Sequence, residues 1–175
     1  MNLRLSVALA LPLVLVLAGC STENSNRIEF GMGDRIPLKP LTYTVVESTW
    51  KSQLGQMFKI RVPDRRFLLI TLSVTNGGGE DVSVPLLTLE GPNGQTYKES
   101  ENGEGVDNWF GLLRTISPAE TQQGRILFDA PLTSYKLRLP AADPASEKFA
   151  LVDIPLRMDP DSPVEAPLPT SGGIK

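Results

Sequence analysis

The amino-acid sequence predicts a mainly β chain with one antiparallel β-sandwich, preceded by a segment that does not join the fold. Three observations carry this. Short runs alternate apolar and polar residues at every second position, with Gly, Pro and Asn between them. No stretch of a dozen residues keeps helical spacing, and at most Asn108 to Leu113 reads as a helical turn. The first 19 residues are dominated by apolar side chains and carry one charge, Arg4. The expected organisation is a signal at 1–19, a flexible tether at 20–33, the sandwich at 34–157 and a Pro-rich, disordered tail at 158–175.

The N-terminal segment comes first in the chain. Met1-Asn2-Leu3-Arg4 is a short basic start, and Leu5 to Ala18 is an apolar run of 14 residues. A bilayer-spanning helix needs about 18 or more. A secretory signal needs fewer. A buried helix is disfavoured because it would be apolar all round, with Pro12 inside it. The run ends in Leu17-Ala18-Gly19-Cys20, which resembles a bacterial lipobox. The resemblance implies cleavage between Gly19 and Cys20 and attachment of acyl chains to the Cys20 sulfur. Small residues lie extended in a narrow protease cleft, and the thiol is the strong nucleophile an alkylation requires. One acyl chain anchors marginally, whereas two or three hold a protein on a membrane. Ser21 stands where an Asp resembles an inner-membrane retention signal. A Gram-negative source would therefore favour the outer membrane.

The polar run Ser21 to Asn26 has no apolar period and reads as part of the tether. The strands follow. Arg35 to Leu38 is short, with Pro37 limiting its pairing. Leu41 to Lys51 is rich in β-branched and aromatic residues, and its Tyr43 and Trp50 read as core or rim. Arg66 to Thr75 is the strongest strand. Leu68, Ile70, Leu72 and Val74 share one face, while Thr71, Ser73 and Thr75 take a face that can meet water. Asn76 to Gly79 supplies a turn. Val82 and Val84 alternate up to Pro85. Leu87 to Glu90 and Gln95 to Lys98 flank Gly91-Pro92-Asn93-Gly94, a hairpin signal. Arg125 to Asp129, Tyr135 to Leu139 and Phe149 to Leu156 complete the set. Beyond Met158, prolines and glycines block regular structure.

Composition removes whole classes of function. The chain of 175 residues has no His and one Cys. It therefore has no Ser-His-Asp triad, Cys-His dyad or imidazole metal site. A lone Cys forms no internal disulfide. With 17 basic against 20 acidic side chains, the chain is a poor nucleic-acid binder. Acylation of Cys20 would also consume the thiol. The two commonest sources of nucleophilic and neutral-pH acid–base chemistry would then both be missing.

The order of elements resembles a family of bacterial secreted and lipid-anchored proteins named only as a domain of unknown function. That family is similar to the immunoglobulin-like sandwich of a mycobacterial secreted immunoprotective antigen. The carrying residues are Gly33-Asp34, Leu68 to Gly77, the hairpin Leu87 to Tyr97, Ser117 to Thr121, Gly124 to Pro131 and Tyr135 to Leu137. Ala119 departs from the pattern, which has Gly after the proline. So does the acidic, Gly-rich stretch Glu99 to Asn108. The resemblance implies an immunoglobulin-like sandwich over roughly residues 31 to 156, and no activity.

Four groups are candidates for more than folding. Glu99, Glu101, Glu104 and Asp107 can gather around Ca²⁺ on a flexible loop, though not at EF-hand spacing. They read first as a solvated loop and remain weak calcium candidates. They lack the apolar cleft that paired acid–base carboxylates need. Lys59, Arg61, Arg65 and Arg66 can meet anionic headgroups. They read first as charges that keep an edge soluble. Trp109-Phe110 and Leu112-Leu113 either cap the core or form a partner patch. The expectation is a lipid-anchored cell-envelope protein that displays a non-catalytic binding module. Its partners are a membrane, through the acyl chains, and an unidentified envelope protein or surface component. No cofactor, resident metal or nucleic acid is expected. A structural or protective envelope lipoprotein is the alternative, and a carboxylate- or metal-dependent enzyme is a more distant one.

Overall fold

The computed structural model describes residues 27–56 and 59–157. The signal at 1–19, the Gly19–Cys20 cleavage point, residues 20–26 and the tail 158–175 lie outside the described residues. Eleven strands follow in order: β1 (Arg27–Phe30), β2 (Ile36–Leu38), β3 (Leu41–Lys51), β4 (Phe67–Asn76), β5 (Val82–Ser83), β6 (Thr88–Glu90), β7 (Thr96–Lys98), β8 (Thr115–Ile116), β9 (Thr121–Asp129), β10 (Tyr135–Pro140) and β11 (Phe149–Ile154). One sheet has the order β1-β11-β10-β6-β7, a second β2-β3-β4-β9, and β5 and β8 form a short pair. The described residues contain no helix.

The alternation read from the sequence builds the core. Leu68, Ile70, Leu72 and Val74 of β4 face Leu137, Leu139, Ala150 and Val152 of the other sheet within one buried cluster. In β3, Leu41, Tyr43 and Val45 point inward, and so does Trp50 at the opposite parity. A bulge between Val45 and Glu47 reverses the alternation and turns Val46 outward.

Three expectations are corrected. A tether is expected over 20–33, yet Arg27–Phe30 is a strand pairing in parallel with β11, so the fold begins earlier. The far-apart partner Phe149–Ile154, and no local pattern, makes those four residues a strand. Asn108 to Leu113 is irregular and contains no helical turn. Trp109 bridges Arg125, and the Phe110 N–H donates to the Arg125 carbonyl at 2.9 Å. The outer face of β4 is also drier than its polar residues imply. Phe67 and Leu69 pack with Leu54 and Leu127 in a second small cluster, and Thr71 is buried beside them.

The strand directions define two ends. β1 starts beside Phe149, where β11 starts and β10 finishes. The β2–β3 turn, the loop after Asn76 and the turn before Thr121 lie at this entry end. At the far end lie the start of β10, the finish of β11 and the tip of the β6–β7 hairpin. The β3–β4 connection joins them there, since Trp50 packs on Tyr135 and Arg65 lies over Tyr97.

Candidate functional site

An open cleft of about 700 Å³ lies at the far end, between the hairpin turn Gly91–Gly94, the start of β10 and the finish of β11. Register explains its chemistry. Thr96, Glu90, Lys136 and Asp153 sit side by side across β7, β6, β10 and β11. Their alternate neighbours Tyr97, Leu89, Leu137 and Val152 point into the sandwich, so this row faces out. Lys136 Nζ donates to Glu29 Oε2 at 2.7 Å and lies 3.3 Å from Asp153 Oδ1. The Glu29 hydrogen bond is the main reason the ammonium is held above its ordinary pKa. By the register, that contact crosses β11 diagonally between Leu151 and Asp153.

Tyr135 forms the aromatic wall. Its ring stands 5.6 Å from Tyr97, edge to face, and 6.2 Å from Trp50. Its hydroxyl donates to the Pro131 carbonyl at 2.7 Å. A Tyr at the start of a strand bonding backbone a few residues upstream is the tyrosine corner of immunoglobulin-like sandwiches. Burial, reinforced by Tyr97, pushes the phenol up to about 12. Sequence reasoning misses this residue as a wall. The signal is present in the spacing Pro131 to Tyr135 ahead of an alternating strand.

The acidic loop separates. Glu99, expected in a solvated loop and as a weak calcium candidate, is 4 % exposed. Its two oxygens accept from Arg114 Nη1 and Nη2 at 2.7 and 2.8 Å, and one also accepts the Leu87 N–H at 3.2 Å. Arg114 Nη2 donates to the Pro85 carbonyl at 2.8 Å and Nη1 to the Gly111 carbonyl at 3.2 Å. Such a fork-to-fork pair satisfies most of what burial strips away. Glu99 is thus a structural anion with no free oxygen for a metal. Glu101, Glu104 and Asp107 are exposed, and among the described residues no three His, Cys, Asp or Glu side chains gather as a metal site would need. Parity could have revealed the pair. Glu99 continues the inward face of Tyr97, and Arg114 precedes inward Ile116 by two.

The other candidates divide too. Arg61 is turned inward. It donates to the Asn102 carbonyl at 2.7 Å and stacks on Phe67 at 5.0 Å. Lys59 is exposed and Arg66 partly so. Phe110 packs against the core beside Gly124, where any Cβ would overlap its ring. Trp109 lies on Gly103 in the same way. Leu113, expected in that cluster, is fully exposed. Tyr43, inside the core, holds its phenol far above the ordinary pKa because burial disfavours the anion. Among the described residues its hydroxyl and the indole nitrogens of Trp50 and Trp109 are buried without a hydrogen-bond partner.

The two packed sheets, the tyrosine corner and an open polar cleft define an immunoglobulin-like β-sandwich. Residues 30–152 match the family described as Domain of unknown function (DUF4352), and the chain belongs to that family. Solved structures share the fold at low identity. The yjhA protein of Bacillus subtilis is 17% identical, covers 71% of this chain and 98% of its own, and has a TM-score of 0.55. The secreted protein MPT63 of Mycobacterium tuberculosis is 16% identical, with coverages of 74% and 99% and a TM-score of 0.54. The ycdA protein of Bacillus subtilis, described as a candidate lipoprotein, is 13% identical with a TM-score of 0.55. The match covers 70% of this chain and 38% of that one. No curated protein is significantly similar in sequence.

Proposed function

We propose that this protein is a lipid-anchored cell-envelope module that holds a non-catalytic binding sandwich above a membrane. One observation carries the reading. Arg27, seven residues after Cys20, starts β1 at the entry end, while the open cleft lies at the far end. An anchor at one end and a receptive surface at the other suit display. The lipobox-like run Leu17 to Cys20 supports the anchor, and neighbours described as secreted or as a candidate lipoprotein fit an envelope or extracellular setting.

The test is fractionation of Cys20→Ser. The wild-type chain is expected in the membrane fraction, with a mass increment from acylation on Cys20. The variant is expected to move to the soluble fraction or to remain unprocessed. A variant that stays membrane-bound and normally cleaved refutes the anchor.

A further inference from the structure

The chain contains three Asn-Gly pairs, Asn76-Gly77, Asn93-Gly94 and Asn102-Gly103. Glycine has no Cβ to shield its peptide nitrogen from the preceding carboxamide, so such pairs are open to attack within the chain. The fold gives the three very different surroundings. Asn76 is fully buried, and its Nδ2 donates to the Glu80 and Ile116 carbonyls at 2.7 and 2.8 Å. The Gly77 N–H donates to the Pro40 carbonyl at 2.9 Å, so nucleophile and leaving amide are both held. Asn93 is exposed, but the Gly94 N–H is spent on the Gly91 carbonyl at 3.0 Å, closing the hairpin turn.

Asn102 differs at each point. It is exposed, and the Gly103 N–H makes no hydrogen bond among the described residues. The carbonyl of that same peptide accepts from Arg61 Nη1 at 2.7 Å. A cation on this oxygen stabilises the anion formed when the peptide nitrogen gives up its proton. Stacking on Phe67 at 5.0 Å and backbone bonds to Leu54 hold Arg61 in place. Asn102 Oδ1 accepts the Glu104 N–H at 2.8 Å, an Asx turn that folds Cγ back over the Gly103 nitrogen. That N–H also points at the oxygen on which charge collects when Cγ becomes tetrahedral. The Trp109 ring fills the place of any Cβ at position 103, so packing keeps glycine beside this asparagine.

We infer that Asn102 is a self-modifying site, at which the fold promotes loss of the side-chain amide. Hydroxide takes the Gly103 N–H proton and the nitrogen attacks Asn102 Cγ. The N–Cγ bond forms, the Cγ–Nδ2 bond breaks, and Nδ2 leaves as ammonia with a proton from water. Water then opens the cyclic imide at either carbonyl, leaving aspartate or isoaspartate at this position. Water is the only co-reactant. Isoaspartate lengthens the main chain by one methylene within residues 100–110, which hydrogen-bond along the outer edge of β9. The new carboxylate also joins exposed Glu101 and Glu104. The converted chain therefore holds that edge less tightly. None of this depends on the anchored reading.

The experiment incubates the full chain, made unlipidated by Cys20→Ser, at mildly alkaline pH, both folded and in denaturing urea. Mass spectrometry follows amide loss at each asparagine. Trypsin leaves Asn102 in the peptide 99–114 and Asn76 with Asn93 in 67–98, where fragmentation separates them. In urea the three pairs are expected to convert at similar rates. In the folded protein Asn102 should convert about tenfold faster than in urea, and Asn76 and Asn93 more slowly than in urea. Arg61→Met should slow conversion at Asn102 about tenfold, while Arg61→Lys keeps most of the rate. Folded protein in which Asn102 converts no faster than in urea overturns the inference, and so does Arg61→Met converting as fast as the wild type. If Arg61→Met does not fold, the comparison of folded with unfolded wild type still decides. Hydrogen exchange of the Ser100 and Phe110 amides is expected to be faster in converted protein, and unchanged exchange overturns the effect on the β9 edge.

Discussion

Ala119 shows how far one side chain can be read in both sequence and structure. The Glu120 N–H donates to the Ser117 carbonyl at 3.0 Å, closing a turn with Pro118 and Ala119 in its centre. Ala119 has φ +60°, in the left-handed region that glycine occupies at this position of a turn. In the sequence Ala119 stands out as the departure from a Pro-Gly pattern, and the backbone supplies the reason. Ala119→Gly is expected to stabilise the fold by about 0.5–1 kcal/mol, because relief of the Cβ clash outweighs added freedom in the unfolded chain. Urea unfolding of both forms measures it, and an unchanged or lower midpoint contradicts it. Tyr135 gives a second test at this scale. Its phenol ionises at about 12 when folded against 10.0 ordinarily, so the fold favours the protonated form. That contribution is fully present below pH 10 and is lost as pH rises towards 12. Absorbance at alkaline pH should show this phenol titrating late, and Tyr135→Phe should flatten the loss of stability across that window. Loss of the Pro131 hydrogen bond lowers the variant's stability at neutral pH as well.

At the scale of elements, the long connection from β7 to β8 has two tasks. Along residues 100–110 it covers the free edge of β9. The Ser100 N–H donates to the Leu127 carbonyl, the Phe110 N–H to that of Arg125, and the Arg125 N–H to that of Asn108. An edge with its polar groups occupied resists pairing with another chain. The connection is held by Glu99 at its start and Arg114 at its finish, and these two also fasten Pro85 and Leu87. Arg114→Met is expected to cost about 3–5 kcal/mol, since it strands the Glu99 carboxylate in the interior. The double variant Arg114→Met with Glu99→Gln should recover some of that loss. Chemical denaturation of the three proteins checks this, and a single variant as stable as the wild type refutes it. The individual strands are legible because β10 alternates with period two, β4 repeats Leu68, Ile70, Leu72 and Val74 at every second position, and β9 and β11 are short apolar runs bounded by turn residues. The connection is not. Its acidic residues look solvated one by one, and only the meeting of Glu99 with Arg114, far along the chain, makes the first of them internal. The bulge in β3 is hidden for a related reason. Tyr43 and Trp50 have opposite parity, and one extra residue at Val46 is what lets both face inward.

At the scale of the molecule, the sandwich is readable from its turns and alternation, but the order of strands within each sheet is not. β1 reads as tether because Arg27-Ile28-Glu29-Phe30 has no strong pattern of its own. Its status depends on a partner at the opposite end of the domain's sequence, a dependence no local window contains. The open cleft is likewise a product of assembly. Glu90, Lys136 and Asp153 are distant in sequence and adjacent only through register. That same parallel pairing of β1 with β11 has a mechanical consequence. The chain enters at one end of the domain and leaves at the other, so tension between the N-terminus and anything gripping the far end runs along the strands. The β1–β11 hydrogen bonds are then loaded in shear and share the force together, whereas a hairpin pulled at its open end loses its bonds singly, in sequence. A domain threaded this way is suited to bearing a pull along its own axis.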